Sequence, residues 1–144
     1  MSASPFVAEW VPRLARRESG RDARALDVAM GAGRHSLVLA QSGFRTFGVD
    51  KNVEAICKAV DTAKLENLTV RAWCADLTVY PLPHAAFDLV LVTRYLQRDL
   101  FPALRDAVRQ GGFIVYETFT VRQRALGVGP TSPDHLLEAG ELVS

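Results

Sequence analysis

Three places along the chain carry residue types that can meet on one small ligand: the turn Gly31-Ala-Gly33 and the acids Asp50 and Asp76. Glycines at 31 and 33 permit a tight turn and leave backbone N–H groups unobstructed by a side chain. A carboxylate or phosphate can sit against such a turn, near the positive end of the helix that follows. A plain strand-to-helix turn accounts for the two glycines equally well. Asp50 stands 19 residues after Gly31 and ends an apolar run. A carboxylate at about that separation can accept both hydroxyls of a ribose; the plainer reading is an acid at a helix start beside Asn52. Asp76 closes a third apolar run and can accept a hydrogen bond from an adenine amino group, although a lone Asp there is more often a turn former. Three such positions, each just past a successive strand, are hard to explain as unrelated turn residues.

The elements that must position them follow from the apolar periodicity. Ser4-Pro5 reads as a helix start, with Phe6, Val7, Trp10, Val11 and Leu14 on one face and an end near Ser19-Gly20. Ala25 to Ala29 reads as the first strand, Ser36 to Gln41 as a helix closed by Gly43, and Phe44 to Val49 as the second strand. Asn52 can cap a helix whose apolar positions Val53, Ile56, Cys57 and Val60 follow the i, i+3, i+4, i+7 pattern. Leu68 to Cys74 alternates as a strand, and Tyr80-Pro-Leu-Pro83 is a loop. Phe87 to Thr93 is apolar and rich in β-branched residues, as a strand buried on both faces should be. Asp99 can cap a helix carrying Leu100, Leu104, Ala107 and Val108, stopped by Gly111-Gly112, before a fifth strand from Phe113 to Phe119. Beyond Val121 the pattern weakens, with one turn of helix at Asp134 to Leu137.

Strands alternating with helices specify an α/β fold, a doubly wound and mostly parallel sheet of about five strands. One domain spans 1–144: an N-terminal helix in 1–20, a core in 24–119 and an irregular tail in 120–144. Lys and Arg number 17 against 16 Asp and Glu, so a nucleic-acid or membrane-surface role cannot rest on bulk charge. Apolar runs such as Leu89–Val92 are far too short to span a bilayer, and no secretory signal is visible at the amino end. Cys57 and Cys74 lack metal-ligand spacing, so no metal is expected, and reduced thiols in the cytoplasm are the plain reading.

The run Leu26-Asp-Val-Ala-Met-Gly-Ala-Gly33 resembles the glycine-rich first motif of class I S-adenosylmethionine-dependent methyltransferases. Phe47-Gly-Val-Asp50 is similar to their second motif, Cys74-Ala-Asp-Leu77 to their third, and Phe87–Thr93 to their fourth strand. Leu104 through Val115 looks like the helix, turn and strand that follow, so the resemblance covers roughly residues 24 to 119. Within that superfamily, Ala29-Met-Gly-Ala-Gly-Arg-His-Ser36 resembles the tellurite-resistance-type branch, which acts on small molecules. Departures from the common spelling are Ala29 for Gly, Met30 for Cys and Gln110 for Pro.

The resemblance implies a Rossmann-like fold with S-adenosylmethionine as cofactor and a small-molecule methyl acceptor, without nucleic acid or membrane partners. Asp27, Ala29, Met30 and the Gly31–Gly33 turn would hold the methionine portion, with Asp27 orienting its ammonium group. Asp50 would bind the ribose hydroxyls beside Lys51. Asp76 would take the adenine amino group and the Leu77 N–H a ring nitrogen, while Thr93 would approach from the fourth strand. A sulfonium methyl is already activated, so alignment and desolvation can supply much of the rate. An acceptor that carries a proton also needs a base, for which His35, Tyr95 and Glu117 are the candidates by position. Each has an ordinary alternative: first-turn helix residue, packing, strand-end acid. Arg34 and Arg94 can meet an anionic substrate or lie solvated, and Phe6 and Trp10 can form a lid or belong to the core. The family continues past its fifth strand with another helix and an antiparallel strand pair, which this chain lacks in the sequence reading. The fifth strand would then be an exposed edge, inviting a homodimer; a fragment or a shortened product explains the same feature. Two other functional classes stay open: an NAD-dependent oxidoreductase, from Gly31-x-Gly33-x-x-Ser36 followed by Asp50, and a non-catalytic cofactor-binding or assembly module.

Overall fold

The computed structural model describes residues 4–18, 22–93, 101–117 and 134–138. Its elements in chain order are α1 (Pro5–Arg17), β1 (Arg24–Val28), α2 (Arg34–Gln41), β2 (Arg45–Asp50), α3 (Val53–Leu65), β3 (Val70–Cys74), β4 (Phe87–Thr93), α4 (Phe101–Ala107), β5 (Val108–Glu117) and β6 (Asp134–Glu138). They form one six-stranded sheet in the order β3-β2-β1-β4-β5-β6. The first five strands run parallel and β6 is antiparallel. The winding reverses between β1 and β4, and ligands of open parallel sheets bind beyond the carboxyl ends of strands at such a point.

Alternate residues of the strands sort the helices onto two faces. Leu26, Val28, Val90, Val92, Ile114 and Tyr116 pack with Leu104 and Ala107 of α4. Ala25, Leu89, Leu91, Phe113 and Val115 point the other way, against Val7, Val11 and Leu14 of α1 and Leu39 of α2. On that second face, α3 covers the far end of the sheet through Ile56, Ala59 and Ala63 against Met30 and Val70. Burial therefore corrects the expected stripe of α3. Ile56, Ala59 and Ala63 are its buried positions, while Cys57 is exposed and Val53 is 57% exposed. Both sit in the first two turns of the helix. The Asn52 cap is present, its side-chain oxygen accepting from the N–H groups of Glu54 (3.0 Å) and Ala55 (3.2 Å).

Helix α1 begins as its sequence suggests, with the Ser4 hydroxyl accepting from the Val7 N–H at 3.2 Å and Pro5 at the first helical position. It ends at Glu18, whose carboxylate accepts from Arg109 Nη2 at 2.6 Å. Arg109 also donates through Nε to Asp88, which accepts the Arg24 N–H at 2.7 Å. This partly buried network ties the end of α1 to the amino ends of β1, β4 and β5. The Asp88 and Glu18 carboxylates hold the Arg109 guanidinium charged, pushing its pKa further up.

Two expectations for the carboxyl-terminal third are corrected. Gly111-Gly112 does not stop a helix: α4 ends at Ala107 and β5 starts at Val108, with both glycines inside the strand. The register against β4 shifts between Phe87 and Leu89. Gly111 has φ +85°, and a Cβ on Gly112 would lie 2.6 Å from the Asp88 carbonyl oxygen, so the bulge needs both glycines. Residues 134–138 form a strand rather than a helical turn or irregular tail. β6 pairs along β5 from Phe113↔Glu138 to Glu117↔Asp134. β5 is thus not an open edge, because β6 satisfies its outward N–H and C=O groups.

Met30 and Gly48 make the tightest packing beneath the first turn. An added Cβ at Gly48 would stand 2.2 Å from Met30 Sδ and 2.8 Å from its Cε. We expect Gly48→Ala to cost about 1–3 kcal/mol, as overpacking does. Combined with Met30→Ala, it should cost less than the two changes summed. Urea denaturation of the two single variants and the double variant measures this coupling, and strict additivity would contradict the packing account.

Candidate functional site

The turn after β1 places Ala29 at φ +58°, Gly31 at +54° and Gly33 at +84°. The left-handed region suits glycine and costs an alanine roughly 1–2 kcal/mol, so Ala29 is held there by its surroundings. Gly33 is required twice over: its backbone is left-handed, and a Cβ would lie 2.6 Å from that of Ala59 on α3. Asp50, at the end of β2, closes the turn from the neighbouring strand. Its Oδ2 accepts from the Gly31 N–H at 2.9 Å and its Oδ1 from the Asn52 N–H at 2.9 Å. A carboxylate offers about four acceptor positions, so this half-buried group can take two further donors.

Beneath the turn, consecutive residues of α2 reach two adjacent strands. The Ser36 hydroxyl donates to Asp27 Oδ2 of β1 at 2.6 Å, and His35 Nδ1 lies 3.1 Å from Thr93 Oγ1 of β4. Asp27, His35, Ser36 and Thr93 are all buried. Burial, opposed by the Ser36 hydrogen bond and reinforced by the nearby Asp50 carboxylate, raises the Asp27 pKa to about 7.

The cleft proper opens on the other side of the turn, at the carboxyl ends of β1, β2 and β3. It measures about 230 Å3 and is lined by Ala29, Val49, Asp50, Lys51, Ala75, Asp76, Leu77 and Thr78. Asp76 Oδ1 accepts from the Thr78 hydroxyl (2.6 Å) and N–H (2.9 Å). These bonds, with Lys51 nearby, hold its carboxyl below the usual range. Asp76 is thus a turn former and also a wall of the cleft. The Leu77 N–H has no protein acceptor among the described residues. A larger hollow of about 730 Å3 opens between α1 and α2, bordered by Ala23 and Phe44 just before β1 and β2. It lies at the opposite ends of the strands and carries none of the candidate residues.

Among the expected cofactor residues, Ala29, Asp50, Lys51, Asp76 and Leu77 share one cleft, with Gly31 bound to it through Asp50. Asp27, Met30 and Thr93 are not brought into that lining. Met30 is buried against Gly48, and Asp27 and Thr93 face α2. Of the candidate bases, His35 is 4% exposed with both ring nitrogens engaged, its Nε2 accepting from the Ser4 N–H at 3.0 Å. Tyr95 and Arg94 lie outside the described residues, as do Asp99 and Leu100. Glu117 stands opposite Thr93 at the end of β5, and its side chain lies outside the description. Arg34 is half-buried on α2, where its charge favours ionised Asp27. Phe6 packs against the core and lies 6.2 Å from the Trp10 ring, over which Arg13 stacks. The sequence reading missed Thr78, although Asp-x-Thr is a recognisable turn pattern, and missed the bonds that Ser36 makes to Asp27 and Ser4 to His35. Among the described residues, no group of His, Cys, Asp or Glu could hold a metal ion.

The residues present fit an adenosyl ligand. Asp50 retains acceptor capacity for vicinal hydroxyls, the Leu77 N–H and Asp76 can face a purine edge, and half-buried Ala29, Ala75 and Leu77 supply apolar walls. The cleft is smaller than the roughly 300–1,000 Å3 typical of enclosing pockets, which suits the adenosine end of such a ligand.

Two outcomes follow for the turn. Replacing Ala29 by Gly should stabilise the fold by about 0.5–1 kcal/mol in thermal or urea melts, by relieving the left-handed alanine; a less stable variant would count against strain at this position. Because the Asp27 pKa is raised, the folded chain binds its proton more tightly than the unfolded chain. That stability is fully present below about pH 4 and is lost as pH rises to about 7. Asp27→Asn keeps an acceptor for Ser36 and cannot ionise, so the variant should gain roughly 2–4 kcal/mol on wild type between pH 4 and pH 8. Parallel pH profiles for the two proteins would refute the assignment.

A family model described as a methyltransferase domain matches residues 25–112, more than half of the chain. Among solved structures, an S-adenosylmethionine-dependent methyltransferase from Mesorhizobium loti is 25% identical, with TM-score 0.62 over 77% of this chain and 53% of that one. A second such methyltransferase, from Clostridium acetobutylicum, is 18% identical with TM-score 0.70, covering 88% of this chain and 55% of its own. TehB from Haemophilus influenzae is 22% identical with TM-score 0.59, over 74% and 38%. No curated protein matches the chain. The chain spans about half the length of the first two structures. Motif order, sheet order and the family match agree, and the chain belongs to the class I, S-adenosylmethionine-dependent methyltransferases.

Proposed function

We propose that the chain binds S-adenosylmethionine and transfers its methyl group to a small-molecule acceptor. The observation that carries this reading is the convergence of Ala29, Asp50, Asp76 and Leu77 on one cleft, with Asp50 still able to accept hydroxyl donors. The bound cofactor supplies a sulfonium methyl that needs no further activation. The protein's share is to hold the adenosine end, keep the turn rigid beneath the methionine portion and present the acceptor in line. Small-molecule acceptors are favoured because charge is nearly balanced overall, without a basic tract for nucleic acid. Likeness to TehB supports a lean toward the tellurite-resistance-type branch. No helix among the described residues is long and apolar enough to cross a membrane. Two exposed free cysteines suit a reducing compartment such as the cytoplasm.

Titration with S-adenosylhomocysteine and, separately, with NAD tests the cofactor; binding of NAD in its place would overturn the proposal. We expect Asp50→Ala to weaken S-adenosylhomocysteine by roughly 1–3 kcal/mol in a variant verified as folded by circular dichroism. Asp50→Asn, which keeps one acceptor oxygen, should fall between. Calorimetric affinities equal to wild type in both variants would remove Asp50 from the ribose site. Release of S-adenosylhomocysteine across a panel of tellurite, selenite, thiols and small organic acids then identifies the acceptor.

A further inference from the structure

The bonds around His35 fix its protonation state. The Ser4 backbone N–H can only donate, and it donates to Nε2 at 3.0 Å, so Nε2 must carry a lone pair. In the neutral ring the proton is then on Nδ1, from where it is donated to Thr93 Oγ1 at 3.1 Å. Ser4 is also the cap of α1: its hydroxyl accepts from the Val7 N–H and its carbonyl from the Ala8 N–H at 2.9 Å. Both Ser4 and His35 are buried, at 6% and 4% exposure, so water cannot readily replace the bond between them.

We propose that His35 is a pH-released clasp, which fastens the start of α1 to α2 and the end of β4 while its imidazole is neutral and lets that start go when Nε2 gains a proton. Protonation turns the Nε2 acceptor into a donor facing another donor, the Ser4 N–H. The bond to Thr93 survives, since Nδ1–H donates in both forms, so the change falls on α1 and not on the sheet. Only the first turn is released. Val11 and Leu14 stay packed in the core, and Arg109 still holds Glu18 at the far end. Phe6 lies on the first turn and moves with it, away from the core it partly covers. Of the charged groups on the elements around the ring, three adjoin His35 or its bonding partners in sequence, hydrogen bonding or register. Arg34 precedes it on α2 and disfavours the imidazolium. Asp27 on β1, bound to Ser36, favours it once ionised. Glu117 on β5 is the register partner of Thr93.

The test uses the intact chain with 15N-labelled histidine, followed between roughly pH 8 and pH 5, the range in which histidines ordinarily titrate. The His35 signal, identified by its absence from His35→Gln, should report the Nδ1–H tautomer at the neutral end. As the ring charges, hydrogen-exchange protection of the Val7 and Ala8 amides, corrected for intrinsic rates, should fall about five- to tenfold, the scale of one lost hydrogen bond. His35→Gln offers an amide oxygen to Ser4 and gains no proton in this range, so its protection should stay level. The comparison also separates His35 from Asp27, which is present in both proteins. An Nε2–H tautomer, a ring that stays neutral down to about pH 5, or unchanged protection of Val7 and Ala8 once the ring is charged, overturns the clasp. If the glutamine variant fails to fold, His35 is identified by three-dimensional assignment of the wild-type chain, and its tautomer and exchange decide alone.

Discussion

The carboxylate of Asp50 bound to the Gly31 N–H is the contact on which the site depends. It joins the end of β2 to the turn after β1, beside the Met30 N–H that donates to the Val49 carbonyl at 3.0 Å. A backbone N–H in a tight turn has no regular partner, and a carboxylate bond to it is among the stronger kinds available. The same group anchors Asn52, the cap of α3, so one side chain sets the turn and the start of the next helix. Asp50 also lines the cleft and keeps acceptor capacity there. Binding capacity and rigidity thus come from a single residue, and the site is shaped before any ligand arrives.

Support from below is divided between two chemistries. Under the turn, hydrogen bonds from α2 to Asp27 and Thr93 fix the helix that carries the glycine loop. Along the second face of the sheet, α1 is held at its start by Ser4 against His35 and at its end by Glu18 against Arg109. Between these anchors it buries Val7, Val11 and Leu14. The two carboxylates flanking the turn differ in consequence. Asp27 is buried and resists ionisation, whereas Asp50 is half-exposed and open to the cleft.

Local signals in the sequence were legible wherever the physics is local. Ser4-Pro5 and Asn52 cap the helices they were expected to cap, and β4 matches its apolar run from Phe87 to Thr93. Asp50 and Asp76 reach one cleft because strand ends in a parallel sheet lie on a common rim. What stayed hidden depends on partners far away in the chain. Met30 could not be told from a ligand contact without knowing that Gly48 lies beneath it. The Gly111-Gly112 pair reads as a helix stop, and only the register against β4 makes it a bulge. For β6, pairing with β5 outweighs a weak local pattern over 134–138. His35 looked like a base because position was visible while the occupancy of its nitrogens was not.

The void at Gly48 that admits Met30 also constrains how this sequence can drift. A Cβ at 48 would meet the sulfur where Met30 now lies, so a larger residue there must swing the thioether aside or follow a smaller residue at position 30. The size tolerated at one position thus depends on the size and rotamer held at the other.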